Sequence, residues 1–316
     1  MLKLLASRLL QMIFIMSVIS LILFAIFDSD KFKKQIAVNE LGGFAVSALS
    51  DQDYQAWLQK KGLQVPFYER YLNWASGVAR GDFGKSFEKN ESVAGLLATR
   101  LAKTGLLAFW VFALMIPLSL LFGVIAGMRE GSFQDRLTSF ISVLTTSLPE
   151  IATAIILTVI FALGLRWLPS NAAMVNGWDW RALVLPVLTL VLYDFGYVAR
   201  MTRASMAEVM GSQYIRTAVL KGLPYRRVIM RHALRNALIP ITTIIGLQFG
   251  TLLAGAIVTE TIFSWPGIGR LTVQAISARD YPLLQGCILV IALSYVLVNL
   301  LTDFLYSLID PRVRLS

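Results

Sequence analysis

Few side chains in this 316-residue chain are placed to do chemistry. There is one histidine, His232, so a histidine-based catalytic or metal cluster cannot be assembled. The one cysteine, Cys287, lies in an apolar run; it rules out a disulfide framework within the chain and suits a small packing residue. HExxH and GxSxG patterns do not occur. Residues 79–86, ARGDFGKS, end like a phosphate-binding loop, but that pattern needs glycine where Ala79 stands, and no strand is expected before it. Neither catalysis nor metal binding is expected. Two acids are more informative: Glu150 and Asp194 each interrupt an otherwise uncharged apolar run. An ionisable group there needs a partner or a wet cavity. Glu150 is therefore expected either to hydrogen-bond a neighbouring helix or to line a pathway that favours cationic substrates.

The densest positive charge lies in RTAVLKGLPYRRVIMRHALRNALIP, residues 216–240, with six basic residues and the histidine. From Ser205 the pattern is helical up to Gly222, which suits the left-handed position after a helix. Pro224 cannot continue that helix but fits the first turn of the next. Arg227, Arg231 and Arg235, at spacing four, share one face and lead directly into an apolar segment. The expectation is a short surface helix, hinged by Gly222-Leu223-Pro224 to a helix entering a membrane. It could transmit a push from a cytoplasmic partner, or hold anionic lipid headgroups with its arginines. Residue types alone serve both readings.

Stepping from these residues to what must carry them, 56% of the chain is hydrophobic and only 15% charged, where a soluble domain has about 25% charged. The class is all-α integral membrane protein. Uncharged or nearly uncharged runs predict six transmembrane helices: Leu9–Phe27, Thr104–Met128, Leu137–Leu165, Ala182–Ala199, Asn236–Thr259 and Tyr281–Thr302. The first exceeds a signal-peptide core and offers no A-x-A-like cleavage site in LFAIFDSD, so it reads as retained. Basic residues crowd one set of short loops, including eight from Arg200 to Arg235 and the tail pair Arg312 and Arg314. That side is cytoplasmic by the positive-inside rule, as are both termini. The same rule accounts for the net charge of +10 without nucleic acid. Residues 28–103 then face outward as a helical insertion, with DQDYQAWLQKKG capped by Gly62 and a second helical pattern in PFYERYLNWASGVARG.

Proline marks four spans, at Pro117, Pro149, Pro186 and Pro240, and glycines recur four apart at Gly123/Gly127 and Gly246/Gly250. Pro149 is expected to bend a continuous third span by freeing the carbonyl of Thr145. Glycine pairs serve tight packing, or small faces lining a passage that opens and closes. In the fifth span Thr243, Gly246, Gly250 and Ala254 make one such face, and Gln248 adds a polar group. Glu150, Thr243, Gln248 and Gly250 are the candidate substrate pathway.

Arg216-Thr217-Ala218 followed by Gly222 resembles the cytoplasmic coupling loop of bacterial ABC importer permeases, whose loose pattern is Glu-Ala-Ala, three residues, then Gly. The replaced glutamate and first alanine are usual in the subfamily for dipeptides, oligopeptides and nickel. The likeness covers most of the chain, through QVPFYERYLNW, GDFGKS, ARMTRASMAEVMGSQYIRTAVLKGL, RHALRNALIPITTIIGLQFGTLLAGAIVTETIFSWPGIGRL, RDYP and DPRVR. Two departures stand out: Glu150, where a small or polar residue commonly follows the proline, and Asp194, in a span that usually lacks an acid. The resemblance implies a type I importer permease fold in the bacterial inner membrane, transporting peptides or similar small solutes. Partners would be a second homologous permease, two ATPase subunits, a periplasmic substrate-binding protein and membrane lipids. ATP and magnesium would sit on the ATPases, with no cofactor and no enzyme activity on this chain. ATPase coupling would fall to Tyr214, Ile215, Arg216, Thr217, Ala218, Lys221 and Gly222. The outer-mouth loop would hold Glu260, Phe263, Trp265, Pro266 and Gly267. The organisation is then a first helix at 1–27, a periplasmic segment at 28–103, a five-helix core at 104–306 carrying the coupling loop 200–235, and a cytoplasmic tail at 307–316. Nickel-chelate or opine-like uptake are alternatives within the family. Outside it stands an ion-coupled carrier with Glu150 and Asp194 as relay, although the matching halves such carriers often show are not found.

The charge asymmetry makes a direct prediction. A cysteine placed near residue 60 is labelled by impermeant reagents from outside, and one near residue 218 only after permeabilisation. The opposite labelling overturns the orientation and the functional reading built on it.

Overall fold

Hydrocarbon offers backbone N–H and C=O groups no partners but one another, so apolar runs must close on themselves as helices. The computed structural model describes residues 2–174 and 177–309, without the side chains of 2–6, 31, 253–255, 303 and 305–309. The tail residues 310–316, with Arg312 and Arg314, and the side chain of Ala254 lie outside the described residues. The helices are α1 Leu2–Phe27, α2 Asp30–Leu41, α3 Gly43–Ala48, α4 Asp51–Lys60, α5 Phe67–Ala79, α6 Val93–Met128 and α7 Phe133–Ser147. Next come α8 Glu150–Leu157, running into a π-helical turn Thr158–Gly164, then α9 Arg181–Met210 and α10 Gln213–Leu220. A second π-helical stretch, Val228–Ala233, joins α11 Tyr225–Arg227 to α12 Leu234–Gly255; α13 Ile257–Ile262, α14 Ile268–Ala278 and α15 Tyr281–Ile309 complete the order. Among the described residues the only strand-like pairing is the isolated bridge between Lys85 and Ser92.

Among the described residues five helical stretches are long and apolar enough to cross a membrane: Ser7–Phe27, Val93–Met128, Arg181–Met210, Tyr225–Ile262 and Tyr281–Thr302. The expected third span departs from expectation. It is two helices, Phe133–Ser147 and Glu150–Gly164, meeting at 101°. Pro149 does not bend a continuous helix; it stands at the cap of α8, and Leu148 before it is extended at φ −87°, ψ 126°. Crowding by the proline ring removes the helical conformation from the preceding residue, so α7 has to stop. Pro117, Pro186 and Pro240 do lie inside helices. The helical pattern expected from Ser205 to Gly222 is also divided, because Ser212 is extended at φ −71°, ψ 152° between α9 and α10.

The chain forms two compact units. One holds everything up to Leu101 together with Leu271–Leu293. Here Phe24 of α1 packs among the rings of Phe67, Tyr71 and Trp74 on α5, centroids 5.3–5.7 Å away. The Arg70 guanidinium forks onto the Asp28 carboxylate. Helix α4 ends as expected, with Gly62 at φ +68° and Leu63 N–H donating back to Leu58 O at 2.9 Å. The GDFGKS and RDYP segments prove to be one structure. Asp280, fully buried, accepts the Ser86 hydroxyl and the Glu88 N–H, and also the Leu283 N–H in the first turn of α15.

The other unit holds Ala102–Arg270 and the chain from Ser294 onward. Its centre is α9: 72% of its most apolar stretch is buried, against 33% or less in the other four spanning stretches. Gly196 on α9 lies against Ser142 and Thr145 of α7, and Gly123 and Gly127 on α6 lie against Thr202 and Met206 of α9. A Cβ on Gly123 would stand 2.5 Å from Thr202 Cβ, so the two backbones have no room for one. Arg203 of α9 forks onto Asp135 at the start of α7, at 2.8 and 2.9 Å. Gly246 and Gly250 of α12 face Thr302, Tyr295 and Asn299 of α15. The glycine pairs are therefore helix contacts.

These contacts rank two substitutions. A Cβ on Gly246 overlaps the Thr302 side chain, whereas one on Gly250 reaches the Tyr295 ring at 3.2 Å. Overpacking of this kind costs about 1–3 kcal/mol. Gly246→Ala is expected to lower the thermal unfolding temperature of the purified protein clearly more than Gly250→Ala. The reverse order overturns this assignment of the α12–α15 contact.

Candidate functional site

Helix α10 is seated by two residues. Ile215 and Ala218 are buried with Met206 of α9 and with Val228, Ile229, Ala233 and Ala237 of the segment leading into α12. The helix ends in a glycine-capped turn: Gly222, at φ +73°, donates to Val219 O at 2.9 Å, and Leu223 to Ala218 O at 3.3 Å. Pro224 occupies the cap position of α11, one residue before the first turn expected for it, and its carbonyl accepts the Arg227 and Val228 N–H groups. Arg227, Arg231 and Arg235 are all exposed, opposite the buried Val228, Ala233 and Ala237.

This seating divides the expected coupling residues. Tyr214, Arg216, Thr217, Lys221 and Gly222 are exposed. Ile215 and Ala218 are buried, because they are the apolar stripe that holds α10 on its own chain. Val219 and Leu220 lie within the 214–222 stretch that the resemblance assigns to coupling, though not among its named residues, and are 51% and 87% exposed. The signal was present, since both fall off the Ile215/Ala218 stripe on so short a helix.

The membrane region of the same unit contains a cavity of about 400 Å³ lined by Thr146, Tyr193, Asp194, Tyr197, Arg200, Gln248 and Thr251. Gln248 donates from Nε2 to Asp194 Oδ1 at 2.6 Å. Of the four expected pathway residues, only Gln248 lines this cavity. Thr243 is exposed elsewhere on α12, and Gly250 is covered by Tyr295 and Asn299. Glu150 accepts the Thr259 N–H at 3.0 Å and the Thr259 hydroxyl at 2.5 Å. Thr259 is the third residue of α13, so this N–H has no acceptor within its helix. Glu150 thus caps α13 while its own carboxylate stands in the first turn of α8, favourable at both helix starts. These are the contacts of the hydrogen-bonding alternative.

ETIFSWPGIGRL, the expected outer-mouth loop, forms a buried latch. Glu260, Phe263 and Trp265 are at most 1% exposed, Gly267 is buried and Pro266 half-buried. Glu260 Oε1 accepts the Thr104 hydroxyl at 2.6 Å, and Oε2 the Arg270 N–H at 2.9 Å. Thr104 Oγ1 accepts the Ile268 N–H at 2.9 Å, and Trp265 Nε1 donates to Lys103 O at 3.2 Å. A side chain at 267 would overlap the Glu260 carboxylate, so only glycine fits there. The buried carboxylate needs these donors, and the chain folds around it to supply them. Among the described residues no three metal-ligating side chains come together.

Residues 119–315 match the family described as binding-protein-dependent transport system inner membrane component. The chain is 41% identical over 261 residues to the "Probable peptide ABC transporter permease protein y4tP" of Sinorhizobium fredii (strain NBRC 101917 / NGR234), covering 81% of this chain and 83% of the relative. It is 39% identical over 256 residues to the "Glutathione transport system permease protein GsiC" of Escherichia coli (strain K12), covering 81% and 82%. With the "Di/tripeptide transport system permease protein DppB" of Pseudomonas aeruginosa (strain UCBPP-PA14) it shares 39% over 281 residues, covering 81% and 84%.

The capping role of Glu150 yields a graded test. Glu150→Ala orphans the Thr259 N–H and is expected to cost about 1–2 kcal/mol of thermal stability. Glu150→Gln keeps an acceptor oxygen and recovers most of it. Equal losses for both substitutions would show that charge, and not capping, is what α13 requires.

Proposed function

The chain belongs to the binding-protein-dependent transport system inner membrane components, and from that membership we propose that it is one permease half of an ATP-driven importer for peptides or similar small solutes. The names of its relatives, peptide, glutathione and di/tripeptide transport permeases, support the substrate class. A second homologous permease completes the pathway, a periplasmic binding protein delivers the solute, and two ATPase subunits hold ATP and magnesium.

The observation that carries the coupling reading is Leu220. A leucine 87% exposed at the end of a helix that is firmly seated on its other side calls for an external groove. Burying it there contributes about 1.5–3 kcal/mol. Tyr214, Thr217 and Lys221, also exposed on this helix, add polar groups for the same partner. Force on α10 passes through Ile215 and Ala218 to both α9 and α12, which the Ser205 hydroxyl further ties together by its 2.9 Å bond to Ala237 O. The left-handed Gly222 and the proline after it keep α10 distinct from α12, so the push arrives at an angle to the span. A hydrophobic seat resists compression, and the displacement reaches the membrane helices undiminished.

Leu220→Asp separates coupling from folding. The side chain touches little of its own chain, so membrane insertion and melting temperature are expected to stay within error. In the reconstituted importer, uptake should fall at least tenfold, and ATP hydrolysis should no longer respond to loaded binding protein. Ala218→Glu, by contrast, should unseat α10 and lower the melting temperature itself. Wild-type uptake by Leu220→Asp would reduce α10 to a helix lying on lipid.

A further inference from the structure

Three of the four acids buried among the described residues accept a backbone N–H. Asp135 takes that of Gly131, Glu260 that of Arg270, and Asp280 those of Glu88 and Leu283. Asp194 is different. It lies mid-helix in α9, where the backbone is already paired, and its side-chain partner among the described residues is Gln248. A carboxylate has two oxygens and about four acceptor positions, so most of its capacity is still open. It opens on the 400 Å³ cavity, which Arg200 of the same helix also lines. Among the described residues Arg200 forms no ion pair. One cavity therefore holds an acid and a base that do not neutralise each other.

The spacing suggests an occupant. Six residues of helix separate the two groups by about 9 Å along the axis. An extended peptide of two or three residues spans roughly 7–11 Å between its charged ends. A cavity of 400 Å³ is also of small-ligand size. Tyr193 and Tyr197, exposed at 44% and 38%, offer aromatic faces to the cavity without selecting particular side chains.

We propose that this cavity is a way-station for the zwitterionic backbone of a short peptide, with Asp194 receiving the α-ammonium group and Arg200 forking onto the α-carboxylate. It rests on the importer reading above and deepens it by placing part of the substrate preference on the permease. Gln248 is a positioning residue: its amide holds one Asp194 oxygen and turns the other toward the cavity. The contacts are to backbone termini, so peptides of different sequence are equally served. A free amino acid carries both charges on one residue and cannot bridge the two groups.

The test uses the complete permease–ATPase complex in nanodiscs without binding protein, titrated with alanine, Ala-Ala, Ala-Ala-Ala, N-acetyl-Ala-Ala and Ala-Ala-amide, with binding read by saturation-transfer NMR. Ala-Ala or Ala-Ala-Ala is expected to bind at least tenfold tighter than alanine and than either blocked dipeptide. Asp194→Asn should abolish the distinction between Ala-Ala and its acetylated form while keeping that against the amide. Arg200→Gln should do the converse, and Arg200→Lys should keep both. Equal binding of all five probes to the wild type overturns the proposal, as does an equal loss for every probe in both neutral variants. The wild-type series and the Arg200 pair decide the matter even if Asp194→Asn does not assemble. Stimulation of ATP hydrolysis by loaded binding protein, measured on the same preparation, tests the importer reading separately. Normal stimulation with indifferent binding sinks the cavity proposal alone.

Discussion

A helix that starts inside a membrane exposes N–H groups that neither lipid nor water will satisfy, and this chain answers with carboxylates. The break at Leu148–Pro149 and the break at Ala256 each interrupt an apolar span. Glu150 begins the helix after the first and caps the helix after the second. Glu260 serves the turn into α14, and Asp280 the start of α15. An acceptor carboxylate at the starts of α13, α14 and α15 lets those helices begin without leaving these donors orphaned.

Against that background, Asp194 and the glycine pairs separate cleanly. Gly123, Gly127, Gly196 and Gly246 bring backbones together around α9 and along α15, where any Cβ would collide. They are consumed by packing and leave no small-residue groove. The polar cavity lies elsewhere, where α9 and α12 are held by a side-chain hydrogen bond between Gln248 and Asp194. Membership in a family of binding-protein-dependent transport components also removes the basis for an ion-coupled carrier, in which Glu150 and Asp194 would form one relay. Each acid instead has its own partner, Thr259 for one and Gln248 for the other.

Features set by a few neighbouring residues were legible from the chain alone. Five of the six apolar spans and the left-handed Gly222 and Gly62 follow from local sterics and composition and stand where expected; Pro224 restarts the helix from its cap position, one residue early. The motifs also identified the family correctly. What escaped was decided at long range. Thr259 lies 109 residues from Glu150, and no spacing rule joins them. Ala218 looked available because its covering residues, Val228, Ile229 and Ala233, lie beyond the Gly-Pro break and fold back over it. The family resemblance named ETIFSWPGIGRL without its partner: Thr104, from the far end of the unit, completes the segment through Glu260. Pro149 was recognised as a disturbance, but whether proline bends a helix or ends it depends on what receives the next turn.

The latch at Glu260 also says something about the order in which the chain acquires its structure. Thr104 and Glu260 are 156 positions apart and meet through one hydrogen bond. Closing a loop of that length costs on the order of 4–5 kcal/mol of chain entropy. A single hydrogen bond returns about 0.5–1.5 kcal/mol net, or up to about 3 kcal/mol when one partner is charged. The bond therefore cannot nucleate anything; it forms once packing around α9 has already delivered its two ends. During synthesis the Thr104 hydroxyl must wait for the greater part of the protein to emerge before its partner exists. The latch is a late event in maturation, following the packing of the helices that lie between its two ends.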